Sequence, residues 1–95
     1  MIKVVATFLF KPEDVDKAIA IAEELVTETR KEKGCAQYEL ARSNDTAGEL
    51  VVLESWETQE DLDVHSASAH FTRIVPALAG MAVQPPAVKA YTPVL

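Results

Sequence analysis

The first clear pattern runs from Ile2 to Phe10, where β-branched and aromatic residues dominate and Lys11-Pro12 closes the run. Proline lacks the N–H that a ladder requires, so the pattern predicts a first strand that stops there. After Pro12 the period changes: Val15, Ala18, Ile19, Ala22, Leu25, Val26 and Thr29 recur at three- and four-residue intervals, as one face of an α-helix does. Glu13, Asp14, Asp16, Glu23, Glu24 and Glu28 sit mostly off that stripe, and Lys31 and Lys33 close the end that favours cations. Pro12 suits the first turn and Gly34 caps the C-terminus, so the helix is expected to run from Pro12 to Gly34.

Alternation returns from Cys35 to Arg42, with Ala36, Tyr38 and Leu40 on one face and Gln37, Glu39 and Ala41 on the other. The turn-forming stretch Ser43 to Gly48 then leads into a returning strand, Glu49 to Glu57. Thr58 can cap a short helix through Asp61 and Leu62, and Ser68 a second that carries Phe71, Ile74, Val75 and Leu78. Pro76 is expected to kink or end that second helix. Pro85-Pro86 separates a short extended piece near Met81 to Val83 from a last strand, Ala87 to Tyr91.

The order β-α-β-β-α-β predicts an α+β fold of the ferredoxin-like type, an antiparallel sheet with its helices on one face. The first strand is apolar on both sides, Val4, Ala6 and Phe8 against Val5 and Leu9, which a solvated sheet face does not require. A chain of 95 residues with a single cysteine holds one core and no intrachain disulfide, so residues 1–95 are expected to form one domain. The bare face is then expected to be buried in a homodimer.

Charge narrows the partners. Nine Lys plus Arg against fifteen Asp plus Glu give −6, the wrong sign for neutralising phosphates, so nucleic acid is not expected. The uncharged run Val4 to Phe10 is far short of the roughly 20 apolar residues a membrane helix needs. Met1 to Val5 shows no secretory signal, and a free Cys35 agrees with a reducing cytoplasm.

Gly34, Gly48 and Gly80 lie too far apart for a nucleotide-binding loop, which disfavours flavin or nicotinamide. A metal on His65 and His70 would need a third donor, and their spacing puts them on different sides of one continuous helix, so no metal is expected. The imidazoles still titrate near neutrality and can move protons. A helix break at Ser66 to Ser68 would let both border one cavity; otherwise His65 caps a helix end and His70 is a half-buried packing residue. Glu54 and Trp56 share a face of the third strand. Glu54 is either solvated at a sheet edge or faces a pocket that raises its pKa until it works as a base. Trp56 is a core anchor or a platform for a planar aromatic ligand. Cys35 has no activating neighbour in sequence and is expected to be structural; Tyr38 and Tyr91 are expected to pack, with hydroxyls in need of partners.

Glu32-Lys33-Gly34-Cys35, Glu54-Ser55-Trp56-Glu57, Leu62-Asp63-Val64-His65 and Ser68-Ala69-His70-Phe71 together resemble the antibiotic biosynthesis monooxygenase domain of the small, quinol-monooxygenase-like type. The likeness covers nearly the whole chain and is most specific from Trp56 to Phe71. It implies a dimeric α+β barrel in which each subunit keeps a cavity between sheet and helices. It also implies oxygenation of a small electron-rich phenol or hydroquinone by dioxygen without flavin, haem or metal. Such a substrate, once deprotonated, can itself reduce dioxygen, so the protein need only take a proton, exclude water and hold the radical pair. Haem-degrading relatives carry a ligand histidine where this chain has Val75, so haem is not expected. The candidate catalytic residues are His65, His70 and Glu54, with Trp56, Phe71 and Tyr38 as candidate substrate contacts. Other relatives isomerise a phosphorylated signalling sugar and share the two-histidine segment, which leaves a small-molecule isomerase as an alternative, and a non-catalytic ligand-binding dimer as another. Of the candidate cations for a phosphate, only Arg73 lies on the second helical segment.

Overall fold

The computed structural model describes residues Met1–Leu95. In chain order it contains β1 (Ile2–Leu9), a 3-10 turn at Pro12–Asp14 leading into α1 (Val15–Thr29), β2 (Cys35–Arg42), β3 (Glu49–Trp56), α2 (Gln59–Ser66), α3 (Ala69–Met81) and β4 (Ala87–Tyr91). The strands form one sheet in the order β2-β3-β1-β4, with every neighbouring pair antiparallel. This is the ferredoxin-like α+β arrangement that the element order predicts. No helix is long and apolar enough to cross a membrane.

Register decides which side chains share a face. Val4 pairs with Glu54, Ala6 with Val52 and Phe8 with Leu50 across β1 and β3, while Tyr38 of β2 also pairs with Glu54. All of these except Glu54 pack with Val15, Ala18, Ala22 and Leu25 of α1 and Ile74 and Leu78 of α3 to form the core. Ala18 is fully buried; its small side chain lets α1 lie close on the sheet. The opposite face carries Val5 opposite Leu53 and Thr7 opposite Val51 at its centre, all half-buried.

Four local differences from the sequence pattern have physical causes. The first helix ends at Thr29 rather than Gly34, and the chain descends through tight turns in which Lys31 N–H donates to Glu28 O and Glu32 N–H to Thr29 O. Gly34 does end this descent, at φ +78. In β2 the pairing register shifts between Cys35 and Gln37, so Ala36 drops out of the inward row and is exposed, whereas Tyr38 stays buried. Pro76 lies inside α3 and does not end it. Pro76 and Thr72 both face solvent, so water can take the carbonyl that proline leaves unpaired. Finally, Met81 belongs to α3 and Val83 lies in a bend, where its N–H donates to Leu9 O at 2.8 Å; a single hydrogen bond replaces the expected extended piece.

Candidate active site

Two hydroxyl caps shape the site. Thr58 Oγ1 accepts from the Asp61 N–H at 3.1 Å to start α2. Ser68 Oγ accepts from the Phe71 N–H at 3.3 Å to start α3 and donates to His65 O at 2.7 Å, closing the end of α2. The chain therefore breaks between the two histidines. Each cap satisfies a helix-end group that would otherwise lack a partner.

The break lets both imidazoles reach one carboxylate oxygen. His65 Nδ1 lies 2.7 Å and His70 Nε2 3.1 Å from Glu32 Oε2. An ionised carboxylate only accepts hydrogen bonds, so each of these nitrogens carries a hydrogen and donates it. In neutral His65 the lone pair is then on Nε2, a buried atom with no hydrogen-bond partner. The ring is held on three sides. Trp56 lies against it at a centroid distance of 4.6 Å, and Tyr38 and Phe71 meet it edge-on at 5.4 and 5.1 Å.

Glu32 is placed by the turn that follows α1. At Gly34 a Cβ would lie 2.0 Å from Asp61 Oδ2, and the positive φ already disfavours any other residue. The Gly34 carbonyl accepts from the Glu57 N–H at 2.8 Å. The turn is thus pinned between α2 and the end of β3, beside Trp56.

Between sheet and helices lies a cavity of about 120 Å³ lined mainly by apolar side chains, with Tyr38, Glu54, His65 and Phe71 among its walls. Glu54 is buried, and its Oε1 accepts from Trp56 Nε1–H at 2.9 Å. Burial raises the Glu54 pKa above the ordinary carboxylate value, the indole N–H opposes this, and the Glu32 charge adds to it. Burial pushes His65 below its ordinary value, against the upward pull of the Glu32 hydrogen bond and charge, so the imidazole is neutral at neutral pH. Burial, and then the Glu54 charge, drive the Tyr38 phenol well above its usual range. The Cys35 thiol is also raised, first by burial, which leaves it a poor nucleophile.

Of the six residues singled out from the sequence, His65, Glu54, Tyr38 and Phe71 line the cavity. His70 and Trp56 stand behind it: His70 holds Glu32, and Trp56 holds Glu54 and packs on His65. The sequence alone assigns no role to Glu32. Its signals are an acid two residues before a turn glycine at the mouth of a strand and its place in the segment Glu32-Lys33-Gly34-Cys35. Glu32 also supplies the third donor whose absence argued against a metal. The break at Ser66 to Ser68 likewise removes the objection that the two histidines diverge along one helix. The ligand atoms of Glu32, His65 and His70 all lie within 4.8 Å of one another.

Known proteins share this arrangement of elements. Residues 1–77 match the family model described as "Antibiotic biosynthesis monooxygenase". The protein named "Putative monooxygenase Rv0793", from Mycobacterium tuberculosis, is 32% identical over 92 residues, covering 97% of this chain and 90% of its own. "Putative monooxygenase YcnE" of Bacillus subtilis is 33% identical over 75 residues, 79% of each chain. A crystal structure described as an antibiotic biosynthesis monooxygenase matches with a TM-score of 0.93 at 36% identity, covering 100% of both chains.

Proposed function

The chain belongs to the antibiotic biosynthesis monooxygenase family, and from that premise we propose that it is a cofactor-independent monooxygenase or quinol oxidase that acts on a small electron-rich phenol or hydroquinone with dioxygen. A monooxygenase-like function is what the family and the names of its relatives support. The observation that carries the finer reading is His65: Nδ1 is tied to Glu32, while Nε2 is buried without a partner on a ring that lines an apolar cavity.

In this reading a phenolic O–H enters the cavity and gives its proton to His65 Nε2. Glu32 keeps the ring in the required tautomer and stabilises the imidazolium that results, as a carboxylate beside a catalytic imidazole does. Glu54, with its pKa raised by burial, is the second proton-handling group. The apolar walls exclude water, and Phe71 and Tyr38 offer aromatic surface to the substrate ring. The phenolate then donates electrons to dioxygen. For a hydroquinone, one oxygen atom enters the ring to give a hydroxyquinone and the other leaves as water; the substrate supplies all four electrons. No external reductant is required.

The cavity volume of about 120 Å³ is on the scale of, and no larger than, the roughly 150 Å³ apolar cavity that takes benzene, so a single ring is the largest substrate core its size supports. A phosphorylated sugar fits less well. No Lys or Arg lines the cavity, and Arg73 instead forms an exposed ion pair with Glu24. The uncovered centre of the sheet, with Val5 opposite Leu53, supports pairing of two copies face to face. The test is oxygen uptake with a panel of monocyclic hydroquinones on chelator-treated protein. Uptake in the presence of chelator supports the reading, and turnover that appears only with an added flavin or metal overturns it.

A further inference from the structure

His70 is the one member of the histidine–carboxylate cluster to which the proposed chemistry gives no step. Its Nε2 lies 3.1 Å from Glu32 Oε2 without lining the cavity, and the two side chains retain 17% and 14% exposure. We propose that Glu32, His65 and His70 form a site for one divalent transition cation of borderline softness, such as zinc(II) or cobalt(II), and that its occupancy holds His65 in the opposite tautomer.

The donor set is two imidazole nitrogens and one carboxylate oxygen with a position left over for water, a combination that zinc and its neighbours accept. The atoms already converge: His65 Nδ1, His70 Nε2 and a Glu32 oxygen lie within 4.8 Å of one another. Tetrahedral bonds of about 2.0–2.1 Å separate ligand atoms by about 3.3 Å. Glu32 Oε2 now sits 2.7 and 3.1 Å from the two nitrogens and must withdraw by a few tenths of an ångström, while the nitrogens, within 4.8 Å of one another, must draw together until each is about 2 Å from the cation. The turn backbone is pinned by the Glu57 N–H on Gly34 O, so the adjustment falls to the partly exposed side chains of Glu32 and His70. The partial exposure of His70 and Glu32 gives an entry path that bypasses the cavity.

Proton positions follow from valence. A neutral imidazole that binds a cation through Nδ1 keeps its single proton on Nε2. The proton of His65 therefore passes from Nδ1 to Nε2, and that of His70 from Nε2 to Nδ1, with no net gain or loss. On the functional reading given above, a His65 whose Nε2 carries hydrogen cannot take a proton from the substrate, so the cation switches the base off. That consequence rests on the functional reading; the site itself does not.

The experiment is a cobalt(II) titration of the chelator-stripped protein without substrate, followed by visible absorption, with His70→Ala and Glu32→Gln measured alongside. The expected result is a d–d band that saturates at one cobalt per chain. Each substitution should weaken binding by at least about tenfold, since loss of even a supporting group costs a metal site that much. In the zinc-loaded wild-type protein, imidazole ¹⁵N shifts should place the His65 proton on Nε2. The proposal is overturned by absence of the band, by affinity unchanged in both variants, or by a His65 Nε2 that stays unprotonated with zinc present. None of these readouts depends on turnover, so a protein that binds cobalt but oxidises no phenol keeps the site and loses only the functional reading.

Discussion

Glu32 Oε2 and His65 Nδ1 lie 2.7 Å apart although the residues are 33 positions apart in the chain. The pair joins the turn after α1 to the last turn of α2. It fixes which nitrogen of a nearly fully buried ring is free. Charge-assisted contacts of this kind are the stronger class of hydrogen bond, and a buried N–H left without its acceptor costs on the order of 1–3 kcal/mol. The same contact thus stabilises the fold and orients the proposed base.

Glu32→Gln tests the electrostatic half of this relationship. The Glu32 charge raises the His65 pKa while burial lowers it, and burial prevails. The acid limb of kcat/KM, which reports the free enzyme, is expected below the ordinary imidazole value. In Glu32→Gln the upward pull is gone, so the limb should move to still lower pH while the plateau falls. A pH–rate profile checks this, and a shift toward higher pH contradicts it.

Glu54→Gln should change stability in a pH-dependent way. Burial raises the Glu54 pKa above 4.5, so the folded state holds this proton more tightly than the unfolded chain. Stability is therefore lost as pH climbs above about 4.5, until the raised native value is passed. Glutamine has no proton to lose and can still accept from the indole of Trp56. Urea unfolding at pH 4 and pH 8 should show Glu54→Gln more favourable, relative to the parent, at the higher pH. An equal difference at both would contradict the assignment.

Gly34→Ala should destabilise the protein by more than about 1 kcal/mol, because it combines a positive φ with steric overlap. Its Cβ would meet Asp61 Oδ2 at 2.0 Å. Adding Asp61→Ala should restore the steric part and leave the backbone part. Denaturant midpoints of the two variants distinguish these contributions.

The uncovered sheet face should make the protein a dimer at micromolar concentration. Leu53, opposite Val5 at the centre of that face, is the position to alter. Sedimentation equilibrium should give a dimer mass for the parent and a monomer mass for Leu53→Asp, with helical circular dichroism retained. A monomeric parent contradicts the proposed pairing.

Local chemistry made much of this legible in the sequence. The strands Cys35–Arg42 and Ala87–Tyr91 occur at the bounds their patterns predict, and the hydroxyls of Thr58 and Ser68 do cap helices. Such features depend on neighbours a few residues away. What the sequence hides depends on distant contacts. The end of α1, the shift between Cys35 and Gln37 and the inward turn of Glu32 are all set where the turn after α1 meets β3 and α2. Periodicity alone separates His65 from His70; the break that the sequence allows at Ser66 to Ser68 is made by the Ser68 cap, but the carboxylate on which both rings then meet, Glu32, depends on the distant turn. The same geometry divides the six expected site residues into four at the cavity and two behind it, a distinction no spacing could reveal.

The most direct test of the central claim is steady-state oxygen consumption by His65→Gln, on a hydroquinone that the parent protein oxidises, with folding of the variant verified by its unfolding midpoint. If His65 Nε2 takes the substrate proton, kcat/KM should fall by about a hundredfold or more, the usual scale of a general-base contribution. A folded His65→Gln protein that keeps near-parental turnover would contradict the account: it would reduce His65 to a packing residue and leave Glu54 as the base to examine.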